Sequence, residues 1–239
     1  MPGFDASGIR VVLFDIFGTT VDWYTGVAEQ AAEIAREAGV SIDGGAFAAT
    51  WRERYLPSMR RVTSGEREWA YLDTLHRESL DDLLETLGYA DAFDETARRR
   101  LVHAWHRLPA WADSVDGLHR LRRRFTTAAL SNGGFALLTE LAKAASLPLD
   151  CILSAELAHS YKPAAPAYLT AVGLLDVPPS EALMVACHRW DLDGARAAGL
   201  HTAFVERPRE KGPDASDKAD GTDDLTAATF TELADILGC

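Results

Sequence analysis

Cysteine is scarce in this sequence: three residues in 239, Cys151, Cys187 and Cys239, odd in number and widely spaced. That fits neither a disulfide framework nor the paired spacing of a zinc site, and it predicts a reducing compartment, the cytoplasm. Long apolar runs are missing as well. No stretch nears the roughly 18 residues needed to cross a bilayer, and the opening MPGFDASGIR has no basic segment leading into an apolar one. Neither a membrane partner nor a targeting signal is expected. Positive charge is in short supply too, with 24 Lys plus Arg against 36 Asp plus Glu and a net charge of −12. The basic run Arg122-Arg123-Arg124 is short and isolated, which argues against nucleic acid as a partner. A small anionic substrate stays open, because a few buried cations override net charge locally. What is present, 47% hydrophobic and 25% charged residues, is an ordinary globular composition. The length permits one large domain, two smaller ones, or an insertion of one into the other.

Ile9 to Asp15 reads IRVVLFD, a short apolar run rich in Val and Ile that ends in a carboxylate and runs into Phe-Gly-Thr-Thr. That pattern predicts a buried strand with a functional tip. Comparable runs lie at Phe125 to Ser131, Cys151 to Ser154, Ala182 to Ala186 and Thr202 to Val205, with helical stretches between them. Alternating strands and helices predict an α/β fold with a parallel sheet, whose ligand crevice lies at the carboxyl ends of the strands. Asp15, Ser131 and the segment Ala186 to Asp191 all stand there. From about Trp23 to Trp111 the alternation stops and helix follows helix: Thr25 to Ala38 closed by Gly39, Ala46 to Met59, and Leu72 to Leu87 followed by Gly88. Leu72, Leu75, Leu80, Leu83, Leu84 and Leu87 form a core-facing stripe, and His76 upon it reads as a packed histidine. Arg207 to Asp224 is nearly devoid of large apolar residues and predicts a mobile surface loop. TFTELADILG predicts a final amphipathic helix.

Asp15, at a strand end before the glycine turn Ile16-Phe17-Gly18-Thr19-Thr20, is suited to nucleophilic attack. Gly18 allows the tight bend, and Thr19 can hold a carboxylate oxygen by hydrogen bond. Leu130-Ser131-Asn132-Gly133 and Tyr161-Lys162-Pro163 follow at later strand ends. A hydroxyl, an amide and an ammonium converging on a carboxylate make a site that accepts an anion beside a nucleophile. Two unit charges about 4 Å apart repel by about 4 kcal/mol at an effective dielectric near 20, so Lys162 supplies the cation that such a meeting needs. In the fourth segment, Val185 to Ala195, Asp191 is the natural partner for water or for Lys162. Asp193 reads as a cap of the following helix.

Asp15-Ile-Phe-Gly-Thr, Leu-Ser131-Asn132-Gly, Tyr-Lys162-Pro and Trp190-Asp191, with a helical insert after the first, resemble the haloacid dehalogenase superfamily, specifically the L-2-haloacid dehalogenases. The resemblance spans about Ile9 to Val205. It implies a Rossmann-like parallel sheet core (residues 1–22 and 112–239) carrying an inserted all-helical cap (23–111), with the site between them. It also implies that Asp15 displaces the halogen of a short 2-haloalkanoic acid with inversion, forming an ester that water hydrolyses at the Asp15 carboxyl carbon. Arg52 of the Trp51-Arg52 pair would hold the departing halide. Ser131, Asn132 and the N–H groups near Ile16 and Phe17 would bind the substrate carboxylate. Lys162, Tyr168 and Asp191 would form a charge and water network, and Trp190 would line the halide pocket. No metal and no cofactor are implied, and the expected assembly is a monomer or homodimer.

The sequence departs from the common pattern at Phe17, where Tyr is frequent, at His188, where Asn is frequent, at Ala186, which replaces a small hydroxyl residue, and at Ala164, where an acid is frequent. The departures leave the reaction intact but open the substrate range; His188 is expected to narrow the halide pocket or assist the hydrolytic water. The rivals are an Mg²⁺-dependent phosphatase of the same superfamily and a non-catalytic protein that binds a small acid. Against the first, Phe17 stands where the phosphatases place a proton-donating Asp, and Ala186 or Cys187 stands where they place an acidic ligand. Against the second stands the joint retention of Asp15, Arg52, Lys162 and Asp191. Trp69, His76, His103, Trp105 and His106 either line the entrance or fill the core of the cap.

Overall fold

The computed structural model describes residues 4–213 and 215–239. The first three residues of the opening segment, and Asp214 within the expected loop, lie outside the described residues. Strands β1 (Val11–Phe14), β2 (Thr126–Ser131), β3 (Cys151–Ser154), β4 (Ala182–Ala186), β5 (His201–Val205) and β6 (Leu225–Ala227) form one sheet in the order β3-β2-β1-β4-β5-β6. Every pairing is parallel. The strands read as continuous apolar runs because both faces are covered. Val12 and Phe14 face one core with Leu118, Leu121 and Phe230, while Val11 and Leu13 face another with Tyr168, Leu192 and Phe204.

From β1 the chain winds to β2 and β3 on one side, then crosses to β4, β5 and β6 on the other. The crevice at such a switch in winding direction is where α/β sheets bind ligands. Phe14 lies level with Ala129 and Val185, so Asp15 and the residues that follow β2 and β4 emerge side by side.

The helical layer between β1 and β2 holds α1 (Trp23–Glu37), α2 (Gly44–Arg52), α3 (Tyr55–Thr63), α4 (Leu72–Thr86) and α5 (Glu95–Ala104). Asp22, Asp43 and Asp94 cap α1, α2 and α5, each carboxylate accepting a first-turn N–H. The two passages between layer and sheet lie together, with Asp22 N donating to Pro109 O at 2.8 Å. Helix α6 (Ser114–Leu121) returns the chain to β2 and packs on the terminal α10 (Phe230–Ile236); α7 (Phe135–Ala144), α8 (Ala165–Leu174) and α9 (Arg189–Ala197) link the later strands.

Four expectations need correction. The single helix over Ala46 to Met59 is two, broken at Glu53-Arg54: Pro57 has no N–H for the carbonyl of Glu53 and its ring would collide with it. Leu87, placed on the leucine stripe, is exposed past the end of α4, although Leu72, Leu75, Leu80, Leu83 and Leu84 are buried. The stretch after β5 is not simply a surface loop, since Arg207 and Glu210 are both buried and it leads into β6, a three-residue strand too short to read by pattern. Asp193 does not cap α9; its exposed carboxylate pairs with Arg189 and Arg196.

Candidate active site

Asp15 follows β1 directly and is buried. Its Oδ1 accepts from Lys162 Nζ at 3.0 Å, and its Oδ2 from Thr19 Oγ1 at 2.7 Å and, in the charged form of the ring, from His188 Nδ1 at 3.1 Å. Burial by itself would raise the carboxyl pKa, but Lys162, His188 and Thr19 together hold it far below the carboxylate range. Oδ1, with one partner, keeps lone-pair capacity to spare.

The three ammonium protons of Lys162 are all spoken for: besides Asp15, Nζ reaches Leu130 O at 2.8 Å and Asp191 Oδ2 at 2.5 Å. Burial opposes its charge and the two carboxylates restore it, leaving the ammonium pKa raised. Asp191 is held on its other oxygen by Tyr168 OH at 2.6 Å. Lys162, one of the two partners expected for Asp191, is thus in contact with it. Tyr168 stands behind Asp191 with its hydroxyl committed to that residue's carboxylate and carbonyl. Gly194 explains the fit of α9 against this group: a Cβ there would come within 2.8 Å of Pro163 O and Tyr168 OH.

Asn132 also turns out to be a support. Its Oδ1 accepts from Lys162 N at 2.7 Å and its Nδ2 donates to Lys162 O at 3.2 Å, which fixes the lysine backbone and leaves one amide proton uncommitted. Ser131 Oγ accepts from Gly133 N at 3.2 Å and retains its own proton. Among the described residues the N–H groups of Ile16 and Phe17 donate no hydrogen bond. Four adjacent groups thus retain a proton for an anion.

His188, at the N-terminus of α9, lies between two carboxylates: Nδ1 meets Asp15, and Nε2 stands 3.1 Å from Glu210 Oε1. Burial lowers the imidazole pKa, yet Cys187, Glu210 and Asp15 outweigh it and carry the value well above 6.5. Glu210 also accepts from Trp23 Nε1 at 2.5 Å, while its buried Oε2 has no partner. Its loop is pinned by Arg207, whose Nε donates to Thr19 O at 2.8 Å and whose two terminal nitrogens grip Asp113 at 2.8 and 3.0 Å. Gly18, at φ +88°, is required twice over: the turn needs that backbone, and a Cβ would strike Glu210 Oε1 at 2.5 Å.

Arg52, the last residue of α2, points into an aromatic cage. Its Cζ lies 3.8 Å from the ring centre of Tyr55, 5.2 Å from that of Trp23, 5.7 Å from that of Trp105 and 6.0 Å from that of Phe17. Its Nη1 is buried without a hydrogen-bond partner. A desolvated cation with an idle donor is a receptor for an anion. A cavity of about 420 Å³ opens here, lined by Trp23, Arg52, Tyr55, His188, Trp190 and Glu210 among others. Trp190 stacks on His188 at 5.6 Å.

Sequence reasoning missed Glu210, Tyr55 and Trp23. Glu210 was hidden in a polar stretch, although its place just past the carboxyl end of β5 was a usable signal. Tyr55 was hidden by the unrecognised break at Glu53-Arg54. The entrance residues divide. Trp105 and the packed His76 stack at 4.6 Å in the interior, and burial lowers the pKa of His76 to about 3. Trp69 lies over Tyr161 at 4.7 Å. His103 and His106 stack at 4.5 Å away from the cavity.

Among the described residues, two groups of side chains bring three metal-binding atoms together, His103/His106/Glu140 and Cys187/His188/Glu210. In the second, His188 Nε2 and Glu210 already bond to each other, and the only other donor is sulfur. An Mg²⁺ at Asp15 would need further oxygens, whereas Phe17 is an apolar ring packed on Trp105 at 5.7 Å. The donor set does not suit that ion. A larger groove of about 490 Å³, between α1 and α5, has Arg99, Arg100, His103 and Arg107 in its wall but none of the residues gathered around Asp15.

Comparison with known proteins gives a consistent result. The profile of the haloacid dehalogenase-like hydrolases matches residues 9–199. The chain is 36% identical to (S)-2-haloacid dehalogenase 1 of Pseudomonas sp. (strain CBS-3) over 203 residues, 83% of this chain and 85% of the relative. Among solved structures, a defluorinating L-2-haloacid dehalogenase superposes with a TM-score of 0.95 at 41% identity over 99% of both chains. The L-2-haloacid dehalogenase of Xanthobacter autotrophicus with chloropropionic acid covalently bound gives 0.81 at 25% identity, over 96% of this chain and 98% of that one.

Proposed function

The chain belongs to the haloacid dehalogenase-like hydrolases, and on that premise we propose that it removes halide from short 2-haloalkanoic acids of (S) configuration through an ester on Asp15, without a metal. It is a hydrolase of carbon–halide bonds. The observation that carries the residue assignments is the pairing of a nucleophile with a receptor for its leaving group: Asp15, ionised and oriented by Lys162 and Thr19, and Arg52, caged by aromatics with an idle donor.

In this reading the substrate carboxylate takes the protons left by Ser131, Asn132 and the N–H groups of Ile16 and Phe17. Lys162 offsets the repulsion between that anion and the nucleophile. Asp15 Oδ1 attacks the carbon bearing the halogen from the face opposite the halogen, inverting that centre. Bound halogen is nearly neutral and departing halide is not, so Arg52 stabilises the transition state more than the ground state. The apolar Phe17, Tyr55, Trp23 and Trp105 rings keep water from screening that charge. Water then attacks the Asp15 carboxyl carbon, freeing the hydroxy acid and restoring the carboxylate. We assign residues 23–111 as the cap that supplies Arg52 and residues 1–22 with 112–239 as the core that supplies the rest. The odd number of cysteines supports a cytoplasmic location, and the assembly we expect is a monomer or homodimer.

The test is halide release from L-2-chloropropionate and chloroacetate in EDTA, beside p-nitrophenyl phosphate with Mg²⁺. Halide without metal is the expected result. Phosphate cleavage alone would transfer the chain to the phosphatases, and silence toward both would favour a protein that only binds small acids.

A further inference from the structure

The reaction just described ends with hydrolysis of an ester, and that step must stabilise an oxyanion. If Oδ1 of Asp15 makes the bond to carbon, Oδ2 becomes the ester carbonyl oxygen and then carries the full charge of the tetrahedral intermediate. Two side chains already meet Oδ2, Thr19 Oγ1 at 2.7 Å and His188 Nδ1 at 3.1 Å. Those separations fall in the range of effective oxyanion donors.

For His188 to donate there, Nδ1 must bear a proton. Its other nitrogen faces Glu210 Oε1 at 3.1 Å, and a carboxylate only accepts. Both ring nitrogens therefore carry protons and the ring is a cation. Cys187 Sγ lies 3.7 Å from Nε2 and the Trp190 ring stacks on one face, so Asp15 and Glu210 are the carboxylates that bond to the ring. When Asp15 is alkylated its negative charge disappears, and Glu210 is the carboxylate that still bonds to the imidazolium during hydrolysis. Glu210 is itself fixed by Trp23 Nε1, sits against Gly18, and lies beyond the residues matched by the family profile.

We propose that Glu210 is a positioning residue for the second half of the reaction: it holds His188 with its Nδ1–H on Asp15 Oδ2, so that His188 and Thr19 form the oxyanion hole for hydrolysis of the aspartyl ester. The inference rests on the dehalogenase reading. The step balances: water adds to the carboxyl carbon and Oδ2 takes the electron pair. Collapse then breaks the bond between the carboxyl carbon and the substrate oxygen. The hydroxy acid leaves with one proton of the water and the other is released to solvent, matching the halide already expelled. His188 stays protonated throughout.

The experiment is rapid-quench halide release with L-2-chloropropionate, combined with mass spectrometry of the intact protein. Glu210→Gln keeps the size of the side chain and removes its charge. It should release one halide per site at a rate within about threefold of wild type, then turn over about 10–100-fold more slowly, with the alkylated protein accumulating. Glu210→Asp should recover part of the turnover. The alkaline limb of turnover should move to lower pH in Glu210→Gln, because loss of the anion makes the imidazolium more acidic. Equal loss of burst and turnover, or wild-type kinetics, overturns the proposal. If Glu210→Gln does not fold, Glu210→Asp and His188→Gln must show the same partition, and absence of a burst in both is equally fatal. Wild type without any halide release would instead reject the dehalogenase reading itself.

Discussion

Asp15 and Asp191 both touch the ammonium of Lys162, yet their environments drive them apart. Asp15 is pushed down despite its burial by Lys162, His188 and Thr19; Asp191 is pushed up by burial and by the charge of Asp15, with Lys162 opposing. The first is the better-stabilised anion and still has an open lone pair, which suits it to attack; the second is enclosed by Lys162 and Tyr168 and acts by holding the lysine. Arg52, which we propose receives the leaving halide, supplies the contrast. Arg52→Ala should lower halide release about 10²–10³-fold, the loss typical of a missing transition-state donor, and Arg52→Lys should recover little because an ammonium cannot stack as a guanidinium does. A steady-state halide assay decides, and full activity in the alanine variant would remove the halide role. Asp15 was placed by the strand it follows and Asp191 by the helix that opens after β4, whereas Lys162, expected at a strand end, stands in the loop between the turn after β3 and α8. The orientations of Asn132 and Tyr168 were not legible in the sequence, since a residue's type does not tell which of its neighbours takes its hydrogen bonds.

The elements explain where the sequence ran out. Pattern located five of the six strands, whose centres are apolar, but not β6, where three residues carry too little periodicity. Pro57 splits a helix that hydrophobic spacing reads as continuous, and the split lets Tyr55 cover the guanidinium of Arg52. The composition of the polar stretch after β5 gave no sign of entering the interior, because its apolar content is low, and only its place past a strand end hinted at it; what carries it inward is the ion pair of the buried Arg207. Arg207 grips Asp113 with two bonds and the Thr19 carbonyl with a third, tying the Glu210 loop to α6 and to the nucleophile's turn. Arg207→Ala leaves the partly buried Asp113 with the Phe230 N–H alone and should cost about 1.5–3 kcal/mol, the range for a hydrogen bond to a charged group, read from urea unfolding, with turnover falling alongside. A loss under about 1 kcal/mol would show that the loop is held by other contacts.

Across the whole molecule, the helical layer and the sheet meet at a seam marked by His106. This buried ring lies 3.1 Å from Asp73 of α4 and 3.0 Å from Glu140 of α7. Burial opposes its charge, but the hydrogen bonds and charges of Asp73 and Glu140 prevail and raise its pKa. A raised value in the folded state means that the contribution is complete below the unfolded pKa of about 6.5 and is lost as pH climbs through the folded one. The difference in Tm between wild type and His106→Gln should therefore be largest at acidic pH and shrink on the alkaline side; a constant difference would contradict this. The chain's net charge of −12 says nothing of the crevice, where Lys162, His188 and Arg52 offset Asp15, Asp191 and Glu210. Everything in the account turns on which atom water strikes. A single turnover in ¹⁸O water, followed by mass spectrometry of the peptide bearing Asp15, should find the heavy oxygen in that carboxylate and ordinary oxygen in the hydroxy acid; heavy oxygen in the first product, with an unlabelled Asp15, would contradict the account.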